Sequence, residues 1–589
     1  MTYTPPLEDM RFVLRHVADI GRLATMPGYE HADAETVDGI LDEAGRFFSE
    51  QFAPLNRVGD VQHSRRQDDG SVVTPEGFAK AYQRYVDAGW PAVPFAPEYG
   101  GGGFPWLVGI AMQEMMTAAN MAFSLCPLLT QGAIDMLEQY GSETQRELYL
   151  PKMVTGEWTG TMNLTEPQAG SDVGALTTRA VPADDGTWRV SGQKIFITYG
   201  EHDLADNIIH LVLARVPDAP PGTRGISCFI VPKFIVGDDG TLGERNAVEC
   251  VSIEHKMGIN ASPTCVMSYE DATGYLIGEP NQGMRYMFKM MNTARLSVGL
   301  EGLALGERSY QQSVAYAAER VQGRAPGASG DSVIIDHADV RRMLLTMKSH
   351  IEALRCLTYL NAEALDLARV HPDESVRESS QELADILTPI TKGWGTDTGV
   401  ELTSLGVQVH GGMGYVEEAG VAQHYRDIRI APIYEGTNGI QAIDLAGRKL
   451  GLRSGAAVAG YLDGIAATAA EAQGAGGELA AIGDALAVAL VTARSTTDWL
   501  LAASGPDDVL AGATPYLRMM GVLTGAWLLT RAALAADELG RGDGGGFDPE
   551  FLEQKVVTAR FFASQVLPQV GGLAPAVTAG AADLFAATF

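Results

Sequence analysis

The spacing of apolar residues changes twice along this 589-residue chain, and that double change restricts its architecture more than any other feature. From about residue 38 to 155, apolar side chains recur at three and four, as in Phe78, Tyr82, Tyr85 and Val86 and again in Leu107, Ile110 and Ala111. This spacing predicts amphipathic helices, broken by a loop at 100–103. From 158 to about 277 the chain reads as short apolar or alternating runs (188–190, 195–198, 208–213, 226–231, 265–268) separated by Pro, Gly, Asp and Asn, the pattern of a small β domain. Helical spacing returns at Gly283 in long blocks, about 284–322, 336–370, 373–398 and 438–452, which predict a four-helix bundle. Beyond Gly451 the chain turns Ala/Gly-rich but keeps helical stretches at 480–502, 515–537 and 551–565, interrupted by GRGDGGGFDP. The expected fold is α+β, mostly α, in the order N-terminal extension 1–37, helical domain 38–157, central β domain 158–282, four-helix bundle 283–452 and an additional helical domain 453–589. No repeat of fixed period points to a solenoid.

Charge narrows the partners. A net charge of −30 opposes a surface that tracks phosphates, so nucleic acid is not an expected partner. Hydrophobic residues at 46% against 20% charged are the balance of a folded chain. The five cysteines (126, 228, 250, 265, 356) form no CxxC pair, which gives no local support to a zinc cage, an iron–sulfur loop or a disulfide framework. The start, MTYTPPLEDMRFVLRH, carries Glu8, Asp9 and Arg11 where a secretory signal needs an uncharged apolar run. The apolar stretch 519–530 lies between Arg518 and Arg531 and falls short of the roughly 20 residues that span a bilayer. A cytoplasmic protein without membrane insertion is expected.

Several clusters carry chemistry or plain structure. Leu164 to Asp172, LTEPQAGSD, sets hydroxyls, a glycine and acids in one loop after a strand, where backbone N–H groups either meet an anion or flat ring or simply close a turn. In KIFIT, Phe196 and Thr198 share a strand face, fit for a flat ligand or for half-buried packing. Met284, Met287, Met290 and Met291 read as a soft pocket lining or, more simply, as core. His255 lacks any HExxH partner and reads as structural. Gly540, Gly542 and Gly545 match GxGxxG but follow a helical stretch, so a linker is expected and not a dinucleotide turn.

Taken in order, LTEPQAGSD, KIFITYG, KMGINASPT, RVQGR, QVHGGMGY and IYEGTNGIQ follow the order and spacing of the acyl-CoA dehydrogenase flavoproteins, which the chain resembles over about residues 38 to 452. The resemblance implies FAD held between the β domain, the bundle and a neighbouring subunit, in a homodimer. By position, Met162, Leu164, Thr165, Gly170 and Ser171 together with Phe196 and Thr198 would surround the flavin ring, Thr165 and Thr198 binding its polar edge and Ser171 the pyrophosphate or substrate. Arg320 and Gln322 resemble the arm that reaches the partner's FAD, Gln408, Gly411 and Gly412 the stretch that receives FAD in return, and Thr437 a phosphate contact.

Glu435 matches the family's base, which takes the thioester α-proton while a hydride leaves Cβ for flavin N5. Its own backbone N–H and a ribityl hydroxyl would polarise the carbonyl. The alternative base position of some relatives is Ala294 here, which cannot accept a proton, and Glu301 stays as a reserve. Arg295 resembles the residue at the CoA end of the substrate. Asn292 stands where many relatives have Asp. The length beyond Gly451 resembles a long bacterial branch whose members act on 3-(methylthio)propanoyl-CoA, in dimethylsulfoniopropionate breakdown, or on a broad range of fatty acyl-CoAs. The former is favoured, with electron-transfer flavoprotein as acceptor. An acyl-CoA oxidase and a DNA-damage-related flavoprotein are the other readings, the latter opposed by the −30 charge.

Overall fold

The computed structural model describes residues 3–503 and 505–589. The described chain forms two units, one comprising 46–104 and 119–294, the other 3–45, 105–118 and 295–589.

The first unit is built on a seven-stranded sheet in the order Trp158–Asn163, Asn207–Ala214, Ser227–Pro232, Thr264–Leu276, Trp188–Thr198, Arg179–Pro182, with Val248–Ile253 paired to Thr264–Leu276 off that path. Trp158–Asn163 and Asn207–Ala214 run parallel, and the remaining pairs are antiparallel. Asn207–Ala214 and Ser227–Pro232 are buried along their whole length, which is why they read as continuous apolar runs. The runs at 188–190 and 195–198 prove to be two ends of one strand. The run at 265–268 is the start of thirteen residues that pair first with Trp188–Thr198 and at Tyr275 and Leu276 with Ser227–Pro232.

Val190, Ile197, Val212, Phe229, Cys265 and Met267 fill the core of this sheet. Helix Met121–Tyr140, capped by the Asn120 side chain accepting from the Phe123 N–H at 3.1 Å, packs on it, with Phe123 and Phe52 rings 4.1 Å apart.

Three long helices organise the second unit: the part of Gly283–Glu319 from Arg295 onward, Ala338–Val370 and Glu374–His410. The third runs twelve residues past the expected end at 398, because its glycines serve packing and do not end it. A Cβ on Gly399 would come 2.5 Å from the Gly302 Cα, and one on Gly406 would come 2.0 Å from the Ser309 hydroxyl. Contacts of Gly299 with Thr391, Gly302 with Gly395 and Ser309 with Gly406 climb both helices together, so the two run parallel at backbone contact.

The helices beyond Gly451, Ala456–Ala475, Gly477–Ala502, Pro506–Arg541, Pro549–Gln565 and Gln569–Thr578, belong to the same unit. The apolar run 519–530 is the interior of Pro506–Arg541, where Met519, Met520, Leu523 and Leu528 are buried and Gly521 and Gly525 let Trp394 lie against the backbone. Gly477–Ala502 and Pro506–Arg541 are long and apolar enough to cross a membrane, but the apolar window of the latter is 83% buried in the protein. All five cysteines are buried thiols.

Candidate active site

In the first unit, the loop after Trp158–Asn163 is pinned to strand Trp188–Thr198. The Ile195 N–H donates to the Thr165 carbonyl at 2.9 Å, and the Thr161 hydroxyl, from the strand before the loop, donates to the Thr198 carbonyl at 2.7 Å. Beneath them sits a feature that the sequence reading passed over. Glu166 is buried and accepts from the N–H and hydroxyl groups of Thr177 and Thr178 and from Lys194 Nζ at 2.9 Å. Burial works to raise its pKa, but Lys194 and the threonine donors prevail and hold it down at about 2, while burial draws Lys194 down to about 8.

Strand Trp188–Thr198 contains a bulge between Lys194 and Ile197, where Phe196 adopts φ 59°. The extra residue turns Phe196 outward, 59% exposed, next to the half-buried Thr198. Met162 and Leu164 are buried, whereas Gly170 and Ser171 are exposed. Asn292 is exposed, Ala294 is buried, and of the Met cluster Met287 and Met290 are core. His255 is exposed, and among the described residues no His/Cys/Asp/Glu group is arranged to hold a metal.

The second unit gathers its acids around the IYEGTNG turn. Glu435 sits at φ 56° followed by Gly436 at φ 83°, two successive left-handed residues. Such backbone is strained for a glutamate and persists only where its surroundings enforce it. Those surroundings are visible. The Gly436 carbonyl accepts from Gln441 Nε2 at 3.0 Å, the Asn438 N–H donates to the Pro432 carbonyl at 3.0 Å, and the Thr437 hydroxyl accepts from the Ile440 N–H at 3.3 Å. Asn438 is bound in turn to helix Glu374–His410 through Lys392 Nζ at 2.9 Å, the Gly393 carbonyl at 3.1 Å and Asp397 at 2.7 Å.

Arg295, buried, reaches Asp444 at 3.4 Å. The helical block expected at 438–452 is helix Asn438–Ile443 followed by a π turn over Asp444–Lys449, which lets Asp444 meet both Arg295 and Arg448. Burial raises the pKa of Glu435, and Lys392 and Arg295 moderate the rise. Next to it, Glu301 is fully buried, with the Tyr434 phenol 2.6 and 2.7 Å from its two oxygens. Burial pushes Glu301 up to about 8 and draws Lys392 down to about 8. Tyr434 and Lys392 were not singled out from sequence, although Tyr434 adjoins Glu435 in the motif.

At the other end of the parallel helix pair, Tyr316 stacks on His410 with rings 4.4 Å apart. Arg320 and Gln322 follow as an exposed arm, closed by the Gln322 N–H donating to the Ser332 carbonyl at 2.9 Å. Gln408, Gly411 and Gly412 are exposed too, and a Cβ on either glycine would meet nothing within 4 Å.

A helical segment, a β unit with an outward-facing bulge and a helical bundle with a half-buried turn carrying Glu435 are together the architecture of an acyl-CoA dehydrogenase, and the chain belongs to that family. Its residues match the acyl-CoA dehydrogenase N-terminal domain at 35–157, middle domain at 161–272 and C-terminal domain at 281–450. Residues 461–588 match the family described as acetyl-CoA dehydrogenase C-terminal like. The chain is 48% identical to the 3-methylmercaptopropionyl-CoA dehydrogenase of Ruegeria pomeroyi over 96% of each. It is 35% identical to a butyryl-CoA dehydrogenase of Syntrophomonas wolfei over 98% of this chain and 97% of that one. An acyl-CoA dehydrogenase of Bacillus anthracis, solved in complex with FAD, shares the fold with a TM-score of 0.73 at 22% identity, over 92% of this chain and 88% of that one.

Proposed function

We propose that this chain dehydrogenates an acyl-CoA thioester between Cα and Cβ with FAD as cofactor and Glu435 as base. The observation that carries the reading is the Glu435 carboxyl, held in a strained turn, its proton affinity raised by burial and still faced by two cations. A base for a weakly acidic α-proton needs that combination, because burial supplies basicity while Arg295 and Lys392 keep an ionised fraction available.

The residues present fit FAD. The outward Phe196 and the half-buried Thr165 and Thr198 offer an aromatic face and polar donors, Ser171 is open to a pyrophosphate, and Gly411 and Gly412 leave open backbone. Met162, Leu164 and Gly170 would complete the ring contacts. Arg320 and Gln322 would reach the FAD of a partner subunit, Gln408 would stand on the receiving side, and the Thr437 hydroxyl, accepting from Ile440, keeps its own proton for a phosphate. When bound, FAD supplies the acceptor for the β-hydride. The Glu435 carboxylate takes the proton as the Cα–H bond breaks, and Arg295 and Asn292 hold the CoA end.

The acyl group we propose is 3-(methylthio)propanoyl, giving methylthioacryloyl-CoA in dimethylsulfoniopropionate breakdown, on the strength of the Ruegeria relative. The Syntrophomonas relative favours a straight-chain acyl group as the second reading. Sulfur for CH₂ is nearly isosteric and separates the two by only about 1 kcal/mol. Anaerobic flavin bleaching with 3-(methylthio)propanoyl-CoA, butyryl-CoA and longer chains decides: faster bleaching by the thioether supports the first, by butyryl-CoA the second, and none by any acyl-CoA removes the proposal.

Electron-transfer flavoprotein as acceptor predicts reoxidation by that protein and little by oxygen. The exposed arm predicts a homodimer in which flavin retention tracks association, and the compartment we propose is the cytoplasm.

A further inference from the structure

A carboxyl that the proposed chemistry does not use lies directly behind the base. Glu301, on helix Gly283–Glu319, has no exposure to solvent, and its two oxygens both contact one phenol oxygen, that of Tyr434, at 2.6 and 2.7 Å. A phenol has one proton to give. If Glu301 were an anion, its two oxygens would have to share that one proton in a bifurcated bond.

A neutral acid resolves the geometry. Its O–H donates to the phenol oxygen while the phenol O–H donates to its carbonyl, a closed two-bond ring at ordinary O–H···O lengths. The neighbours agree. Tyr434 and Glu435 face Glu301 from the turn, and Lys392 faces it from helix Glu374–His410, but Lys392 Nζ is bound to Asn438 Oδ1, whose amide also holds Asp397. Among the described residues Glu301 makes no ion pair, and burial places its titration at about 8.

We propose that Glu301 is a positioning residue: a neutral carboxylic acid whose ring with Tyr434 locks the turn carrying Glu435 and leaves Glu435 as the anion opposite Lys392 and Arg295. The proposal rests on the reading of Glu435 as base. Loss of the Glu301 proton would remove the O–H that closes the ring with Tyr434 and set a second negative charge beside the Glu435 anion, so the turn that aims Glu435 would loosen. The rate of flavin reduction then falls at alkaline pH, as Glu301 loses its proton.

The amide of Glu301→Gln reproduces both ring bonds, N–H to phenol oxygen and phenol O–H to carbonyl, and cannot ionise. In anaerobic reduction of the FAD-loaded enzyme by acyl-CoA, the wild type is expected to lose rate as pH passes about 8. Glu301→Gln should keep the plateau rate within a few fold and lose that alkaline limb, whereas Glu301→Ala, with flavin content unchanged, should slow by roughly tenfold or more. Infrared difference spectra of the substrate-free holoenzyme should show a protonated carboxyl band at neutral pH that titrates away in alkali and is missing from Glu301→Gln.

A limb that survives in Glu301→Gln would assign it to Lys392 and overturn the proposal. So would a Gln variant as slow as the Ala variant, or no such band at neutral pH. Failure of the base reading looks different: Glu435→Gln would reduce flavin normally while the Glu301 band stays in place.

Discussion

At the scale of single residues the turn around Glu435 makes two predictions. Glu435→Gln keeps the shape and most hydrogen bonding, so FAD and acyl-CoA should still bind while anaerobic flavin reduction slows by roughly 10²- to 10⁴-fold. Lys392 pulls the pKa of Glu435 downward, so Lys392→Met should raise it further, and the acid limb of the reduction rate should move to higher pH. A stopped-flow pH series checks both, and an acid limb moving to lower pH in Lys392→Met would reverse the assigned sign. Glu435 could be read from sequence because its neighbours in IYEGTNG are contiguous with it. The groups that set its proton affinity could not, because Arg295, Glu301 and Lys392 lie on two other long stretches of chain and meet it only through packing. Glu301 read only as a reserve to Glu435, and only the fold shows what it touches.

Elements bring those residues together, and here apolar periodicity was informative about type but not about extent. The block read as 373–398 continues to His410 because close packing of glycine backbones outweighs the cost of glycine in a helix, about 1 kcal/mol per residue. A Cβ at position 302 would lie 2.0 Å from the Gly395 carbonyl oxygen, so Gly302→Ala must push the parallel helices apart. Overpacking of this kind costs about 1–3 kcal/mol, and it should separate Glu301 from Lys392 as well. A lowered unfolding temperature together with a displaced pH profile is expected; an unchanged unfolding temperature would show that the helices yield freely.

In the β unit, alternation put Phe196 and Thr198 on one face but gave no sign of the bulge that points Phe196 outward. The pair under the loop was equally hidden, since Glu166 and Lys194 are 28 residues apart. Glu166→Gln should cost about 3–5 kcal/mol by leaving Lys194 buried without a counter-ion. The Glu166 pKa is depressed, so its contribution is complete above the ordinary value of 4.5 and lost as pH falls through about 2. Urea unfolding at neutral and acid pH would show the wild-type advantage shrinking toward acid, and a constant difference would argue against the pair.

Across the second unit, a buried charge cluster joins parts of the chain that are remote in sequence. Arg355 donates to Glu114 at 2.7 and 2.9 Å, to Glu307 at 2.8 Å and to Asp9, and Lys555 donates to Asp9 and to Glu352 at 3.1 Å. Burial of so many charges is tolerable because each finds a partner. Arg355→Met should therefore destabilise by about 3–5 kcal/mol, measured as a lower urea midpoint, because Glu114 and Glu307 lose their cation. A midpoint equal to wild type would mean that the acids simply take up protons.

The sequence marked residues 453–589 as helical. It gave no sign that Asp9 and Lys555 would meet, since a charged residue on an amphipathic helix reads first as solvated. That meeting has a consequence for synthesis. Asp9 and Lys555 are 546 residues apart, which at about 5–20 residues per second separates their emergence from the ribosome by roughly half a minute to two minutes. Helix Leu7–His16, with Met10, Phe12, Val13 and Leu14 destined for the interior, leaves the exit tunnel long before helix Pro549–Gln565, which closes over it. The segment around Asp9 must wait, unshielded or in the care of a chaperone, until the segment around Lys555 has been made.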